Sequence, residues 1–189
     1  MEKIRTFIAI PLPQNILAEF GKLYQAMSPF SREVKWIKPE SVHLTLKFLG
    51  NLIPADVKKV FDGMAEVFSD PPDHFLLEIG GLGGFPNLRR PRVLWVGVHG
   101  KGLNQLKDIQ MRIEEAMTAR NFPKENRKFS PHLTVGRVKY YKNLEKIVES
   151  FQSYAFPEMK FIVEKIHVMR SELKPEGAVY SVQKTYFLK

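Results

Sequence analysis

His43-Leu44-Thr45-Leu46 and His132-Leu133-Thr134-Val135 are one pattern, His-apolar-Thr-apolar, written twice in the chain. Each copy reads as a β-strand. Strand side chains alternate faces, so the His and Thr at i and i+2 share one face, roughly 6–7 Å apart, and the two apolar residues share the other. An imidazole and a hydroxyl are thereby held on an open face by a buried back. A lone His-x-Thr strand needs no function, because Thr suits strands through its branched Cβ. The duplication changes that reading: the chain has only five histidines, and two of them occupy identical settings. Two such faces turned toward each other would gather two histidines and two hydroxyls, the equipment for metal-free acid–base chemistry on a phosphate ester.

The copies stand 89 residues apart, and the same offset aligns their surroundings. Ile4 to Ile10 lands on Val93 to His99, and both runs are strand-like. Residues 14–28 carry Ile16, Leu17, Phe20, Leu23, Tyr24 and Met27 at helical spacing and land on 103–117, which mostly repeats it. A second helix follows each motif: 54–68, opening with Pro54, and 143–157, with Asn143 as N-cap. Each half then adds a strand, Phe75 to Ile79 and Phe161 to Met169, and Val179 to Leu188 supplies one more. The order β-α-β(His-x-Thr)-α-β, twice over, predicts an α+β fold of two pseudo-symmetric lobes. Antiparallel-rich sheets should flank a central cleft, with helices outside. The chain 1–189 is read as a single bilobal domain with repeat halves of approximately 4–91 and 92–189. The Gly- and Pro-rich junction from Gly80 to Arg92 reads as a loop.

Composition narrows the chemistry. Apolar residues make up 44% and charged residues 26%, as in ordinary globular proteins. The absence of cysteine removes disulfides, thiolate nucleophiles and Cys-based zinc sites together. No signal peptide or apolar span is evident near the start, where Pro11 and Pro13 interrupt the run from Phe7 to Leu12. A cytoplasmic location is therefore expected. The formal charge of +9 suggests a polyanionic partner. Its clusters are Arg89-Arg90-Pro91-Arg92 and the run from Lys124 to Lys128, and the second leads straight into the second motif.

Other chemistries fit less well. Gly80-Gly81-Leu82-Gly83-Gly84 has no Gly-Lys-Ser/Thr ending and no following helix, so it reads as a mobile turn and not as a nucleotide loop. No Gly-x-Ser-x-Gly is present, which leaves Ser41 and Ser130 without the setting of a nucleophile. A zinc site on the two motif histidines would need a third ligand, and no carboxylate stands at ligand-like spacing beside either. His74 and His99 lie at the edges of apolar runs, and His167 faces either the cleft or solvent.

The chain resembles the 2H phosphoesterase superfamily, and within it the RNA 2′,3′-cyclic phosphodiesterases, also called 2′-5′ RNA ligases. The resemblance rests on Arg5-Thr6-Phe7-Ile8-Ala9-Ile10, Val42 to Gly50, Phe85-Pro86, Pro91 to Trp95, Phe129 to Arg137, Ser171-Glu172-Leu173 and Gly177 to Tyr180. It implies that His43 is the proton donor and His132 the proton acceptor, with Thr45 and Thr134 contacting phosphate. Neither metal nor other cofactor is called for. The implied reaction opens 2′,3′-cyclic ends of RNA, tRNA fragments among them, to 2′-phosphates, with 2′-5′ ligation as its reverse and a monomer as the working form. Alternatives are a 2H enzyme for 2′,5′-oligonucleotides or small cyclic nucleotides, and a non-catalytic RNA-end binder. Arg137 matches a basic position after the second motif. Strict alternation turns it away from His132, and a bulge at Gly136 would re-aim it into the cleft. Its counterpart Phe48 is expected in the core, with stacking on a base as the alternative.

Overall fold

The computed structural model describes residues 3–174 and 177–189. In chain order the elements are β1 (Ile4–Ile10), α1 (Gln14–Ala26), β2 (Val34–Trp36), β3 (Leu44–Leu52), α2 (Pro54–Val67), β4 (Phe75–Phe85), β5 (Val93–His99), α3 (Leu103–Thr118), β6 (His132–Val138), α4 (Leu144–Ser153), β7 (Met159–Val163), β8 (Lys165–Lys174) and β9 (Gly177–Phe187). The α+β class follows the sequence pattern, and most elements lie where it placed them. Differences concentrate at the joints. α4 stops four residues short of the expected 157, with Tyr154 already extended, because Pro157 disfavours helix in the residue before it. Asn143 precedes α4 as expected, but its backbone is left-handed and its side chain caps nothing.

Two expectations are corrected by the strand pairing. The run Phe161 to Met169 is two strands and not one: β7 pairs with β4, β8 pairs with β1, and Glu164 alone stands between them. The glycine run Gly80 to Gly84 is not a mobile turn but the second half of β4, paired along β5 as far as Phe85 and Val93. Glycine is required there by a close approach. A Cβ on Gly83 would sit 2.2 Å from the indole of Trp95, the residue paired with it on β5.

In place of separate sheets flanking a cleft, all nine strands join one antiparallel sheet in the order β7-β4-β5-β6-β3-β1-β8-β9, with β2 added beside β6. The order is itself symmetric about the β6-β3 boundary. The last strand of each repeat crosses over, so that β4 lies beside β5 of the second repeat and β8 beside β1 of the first. Because one residue links β7 at one edge to β8 near the other, the sheet curls until its edges approach. Backbone bonds from His74 to Lys189 and from Lys189 to Pro72 tie the segment before β4, next to one edge, to the segment after β9, at the other. Strand twist makes such curling natural.

One face of the sheet carries the core. Ile8, Ile10, Leu44, Leu94, Val96, Leu133, Ile166 and Val168 are buried there with Ile16, Phe20, Val60, Met64, Ile109, Ile113, Ile147 and Phe151 from the four helices. Lys47 is also on this side and is buried. Its ammonium donates to Glu114 Oε1 at 2.7 Å and to the Pro123 carbonyl at 2.9 Å, joining β3 to α3 and to the segment before the second motif. No helix among the described residues is long and apolar enough to cross a membrane.

Candidate active site

The two motifs meet at a single register pair. β3 and β6 are antiparallel neighbours through Leu44 and Leu133, both fully buried on the core face. Residues on either side of that pair must point to the opposite face. Antiparallel register therefore sets His43 across from Thr134, and Thr45 across from His132. The histidines are diagonal neighbours in this arrangement, with Cα atoms about 7–8 Å apart. The pseudo-two-fold axis passes between Leu44 and Leu133, and two imidazoles and two threonine hydroxyls surround it.

This face is concave. Tyr180, on β9, meets the His43 ring edge-on at 5.2 Å although β8 and β1 lie between β9 and β3. On a flat sheet three strand spacings would separate them by about 14 Å, so the curl has brought them together.

Each imidazole is oriented by its own chain. His43 Nδ1 lies 2.7 Å from the carbonyl of Ser41, and His132 Nδ1 lies 2.7 Å from that of Ser130. A carbonyl only accepts, so each Nδ1 carries the hydrogen and each neutral ring keeps its Nε2 lone pair available for proton transfer. The only trace of this contact in the sequence is a serine two residues before each histidine. Its side chain is not what serves, so residue type alone does not reveal it.

The rings are held by aromatic neighbours. His43 stacks on Phe7 at 4.7 Å and 28°, while His132 meets Phe85 edge-on at 4.9 Å, with Trp95 behind Phe85. Removal from water disfavours the imidazolium and is the main cause of a pKa below the ordinary histidine value at both sites. Hydrogen bonds to the Ser41 and Ser130 carbonyls oppose this. At His132 the Arg137 cation lowers the pKa further.

Arg137 thus interacts electrostatically with His132, and the strand register explains how. β5 pairs Trp95 with Thr134 but Leu94 with Gly136, which leaves Val135 as an extra residue. Val135 and Gly136 are both buried, and alternation resumes with Arg137 on the cleft side, exposed. The re-aiming bulge expected at Gly136 is centred one residue earlier. The first motif repeats it: β1 pairs Ala9 with Thr45 and Ile8 with Lys47, skipping Leu46. Phe48 consequently emerges on the cleft face, 52% exposed, with the Arg5 guanidinium 4.5 Å above its ring. The core position expected for Phe48 is corrected for the same reason. First strands do not keep the motif offset, since Ala9 faces Thr45 where Trp95 faces Thr134, three residues out of step.

His167 pairs with Ala9 and so lies on the cleft face, its Nδ1 3.0 Å from Thr185 Oγ1. His99 is paired with Glu158. Among the described residues no group of three or more His, Cys, Asp or Glu is arranged to hold a metal ion.

Fold and site together define a class: duplicated α+β proteins whose two His-x-Thr strands meet on one concave sheet face. The chain belongs to the 2′-5′ RNA ligase superfamily of 2H phosphoesterases, whose family model matches residues 22–175. It is 34% identical to an RNA 2′,3′-cyclic phosphodiesterase of Aquifex aeolicus, over 82% of this chain and 81% of that one. It is 30% identical to one of Methanocaldococcus jannaschii, over 97% and 100%. A crystal structure from Thermus thermophilus superposes with a TM-score of 0.75 at 28% identity, covering 97% of both chains. E. coli LigT, solved with 3′-AMP, shares the fold at a TM-score of 0.77 and 21% identity, over 100% of this chain and 99% of that one.

Proposed function

We propose that this protein is a metal-independent phosphodiesterase that opens 2′,3′-cyclic phosphate ends of RNA to 2′-phosphates. His43 acts as proton donor and His132 as proton acceptor. The observation that carries the reading is the Leu44–Leu133 register, which surrounds one point with two imidazoles and two threonine hydroxyls. Relatives named RNA 2′,3′-cyclic phosphodiesterase support the substrate class.

A water molecule attacks phosphorus and gives its proton to His132 Nε2. The bond from phosphorus to O3′ breaks, and O3′ takes a proton from His43 Nε2, leaving a 2′-phosphate and a free 3′-hydroxyl. Thr45, Thr134 and Arg137 donate hydrogen bonds to the phosphoryl oxygens as charge builds in the transition state. Arg137 supports the division of labour, because its cation adds to the larger effect of burial in favouring the deprotonated, accepting form of His132. His43 is favoured as acid once the phosphate anion enters its apolar slot and raises its pKa. The basic surface attracts RNA, tRNA fragments among the candidates, to a cytoplasmic monomer, and 2′-5′ joining is the reverse reaction at the same centre. The whole chain works as a single bilobal domain, since neither repeat alone supplies both histidines.

Purified protein given a 2′,3′-cyclic-ended RNA in excess EDTA tests this. Hydrolysis to 2′-phosphate ends at an undiminished rate is the expected result. Activity that disappears in chelator and returns with one added metal ion would overturn the metal-free mechanism.

A further inference from the structure

A cavity of about 350 Å³ opens at the start of β1, lined by Lys3, Arg5, Asn51 and Arg170, with Glu172 among its walls. Its Arg5 wall shares a sheet face with the candidate active site. The β1–β8 ladder is regular from Arg5 to Ala9, so Arg5, Phe7 and Ala9 share a side. Phe7 is the ring that stacks on His43. Arg5 is one strand repeat further on, about 6–7 Å, a step comparable with one nucleotide unit. Its guanidinium covers the exposed Phe48 ring and lines the cavity as well. Arg5 also pairs in register with Asn51 on one side and Ser171 on the other, both in the cavity wall. Glu172 contacts Arg170 Nε at 3.1 Å, and Lys3 and Arg5 are the other cations among the described residues that line the cavity.

Resting on the function proposed above, we infer that this cavity and the Phe48 ring form the subsite for the nucleotide on the 5′ side of the cyclic end. Its phosphate meets Lys3 and Arg5 with Asn51 as a neutral donor, and a base stacks on Phe48. A cyclic phosphate terminates the 3′ end, so only one strand direction leaves the site. The symmetric catalytic set cannot choose between the two repeats. The broken symmetry of the flanks can, because Phe48 occupies the place that Arg137 holds in the other motif.

The experiment compares cytidine 2′,3′-cyclic phosphate with a dinucleotide bearing the same cyclic end. Parent protein, Lys3→Gln and Phe48→Ala are assayed for kcat and KM. The parent should prefer the dinucleotide by about tenfold or more, and Phe48→Ala should reduce that preference about five- to a hundredfold, the range of one base–aromatic stack. Lys3→Gln, an exposed change near the chain start, should weaken it through KM and with a shallower salt dependence. A second arm measures binding of the 2′-phosphate-ended dinucleotide against cytidine 2′-phosphate, which needs no turnover. Equal use and equal binding of one- and two-nucleotide ligands by the parent would overturn the subsite. So would variants that lose the same factor on both lengths. A binding preference lost in the variants, without hydrolysis of either substrate, would keep the subsite and refute the phosphodiesterase reading instead.

Discussion

β3 and β6 carry the same motif, the same bulge and the same backbone acceptor for Nδ1, yet they differ at the two residues after the bulge. β3 continues Lys47-Phe48, where β6 continues Gly136-Arg137. Lys47 enters the core and pairs with Glu114. Gly136 leaves room for the Trp36 ring, which a Cβ would meet at 2.8 Å. Then Phe48 and Arg137 emerge on the cleft face, one aromatic and one cationic. What is shared is what the proposed proton transfer and phosphate contact require on both sides of a phosphorus atom. What differs sets charge and orientation. A site with perfect two-fold symmetry could not distinguish an attacking water from a leaving ribose.

The largest expected effects probe the shared part. His43→Ala and His132→Ala should each lower kcat by about 10²–10⁴, the usual worth of a positioned acid or base. RNA affinity should change far less, since phosphate charge is met mainly by Lys and Arg. Steady-state kinetics with a separate binding titration checks both. Full turnover in both folded variants would end the acid–base assignment and leave an RNA-end binder.

Stability separates the bulges. Lys47→Met leaves the Glu114 carboxylate buried without its cation and should destabilise the fold by about 3–5 kcal/mol. Gly136→Ala presses a methyl group against Trp36 and Val34 and should be milder, about 1–3 kcal/mol. Urea unfolding of the two variants beside the parent measures the difference. Equal losses would mean that the two bulges are energetically alike.

The smallest effect is a displacement along the pH axis. Both histidines have pKa values lowered by burial, so the bell-shaped kcat/KM profile of the free protein should centre below the ordinary imidazole value of about 6.5. Bound phosphate raises both pKa values, and the kcat profile should lie at higher pH. Arg137→Gln removes a cation that disfavours protonated His132. The acidic limb, where the base must lose its proton, should therefore move to higher pH, while the limb governed by His43 stays. An unmoved acidic limb would show that Arg137 does not act on His132 through charge.

Much of this was legible in the chain itself. Two His-x-Thr copies at one offset, each among strands and amphipathic helices, were enough for the α+β duplication and for naming His43, His132, Thr45 and Thr134. Periodicity records which face a side chain occupies, and a repeat records symmetry, so both survive in one dimension. Strict alternation turns Arg137 away from the cleft and Phe48 into the core, because a bulge inverts alternation without leaving a mark in residue type. Only the partner strand shows that Val135 or Leu46 is extra.

The sequence by itself determined the duplicated elements, the paired His and Thr side chains and the absence of thiol chemistry, because each depends on residue identity and local spacing. Tertiary structure decided the rest: one curled sheet in place of two, the exchange of β4 and β8 between repeats, the glycine run inside β4, and Arg137 and Phe48 on the same concave face. Those outcomes depend on which strand lies beside which. Hydrogen-bond pairing between distant segments is set by packing of the whole chain and not by any local pattern.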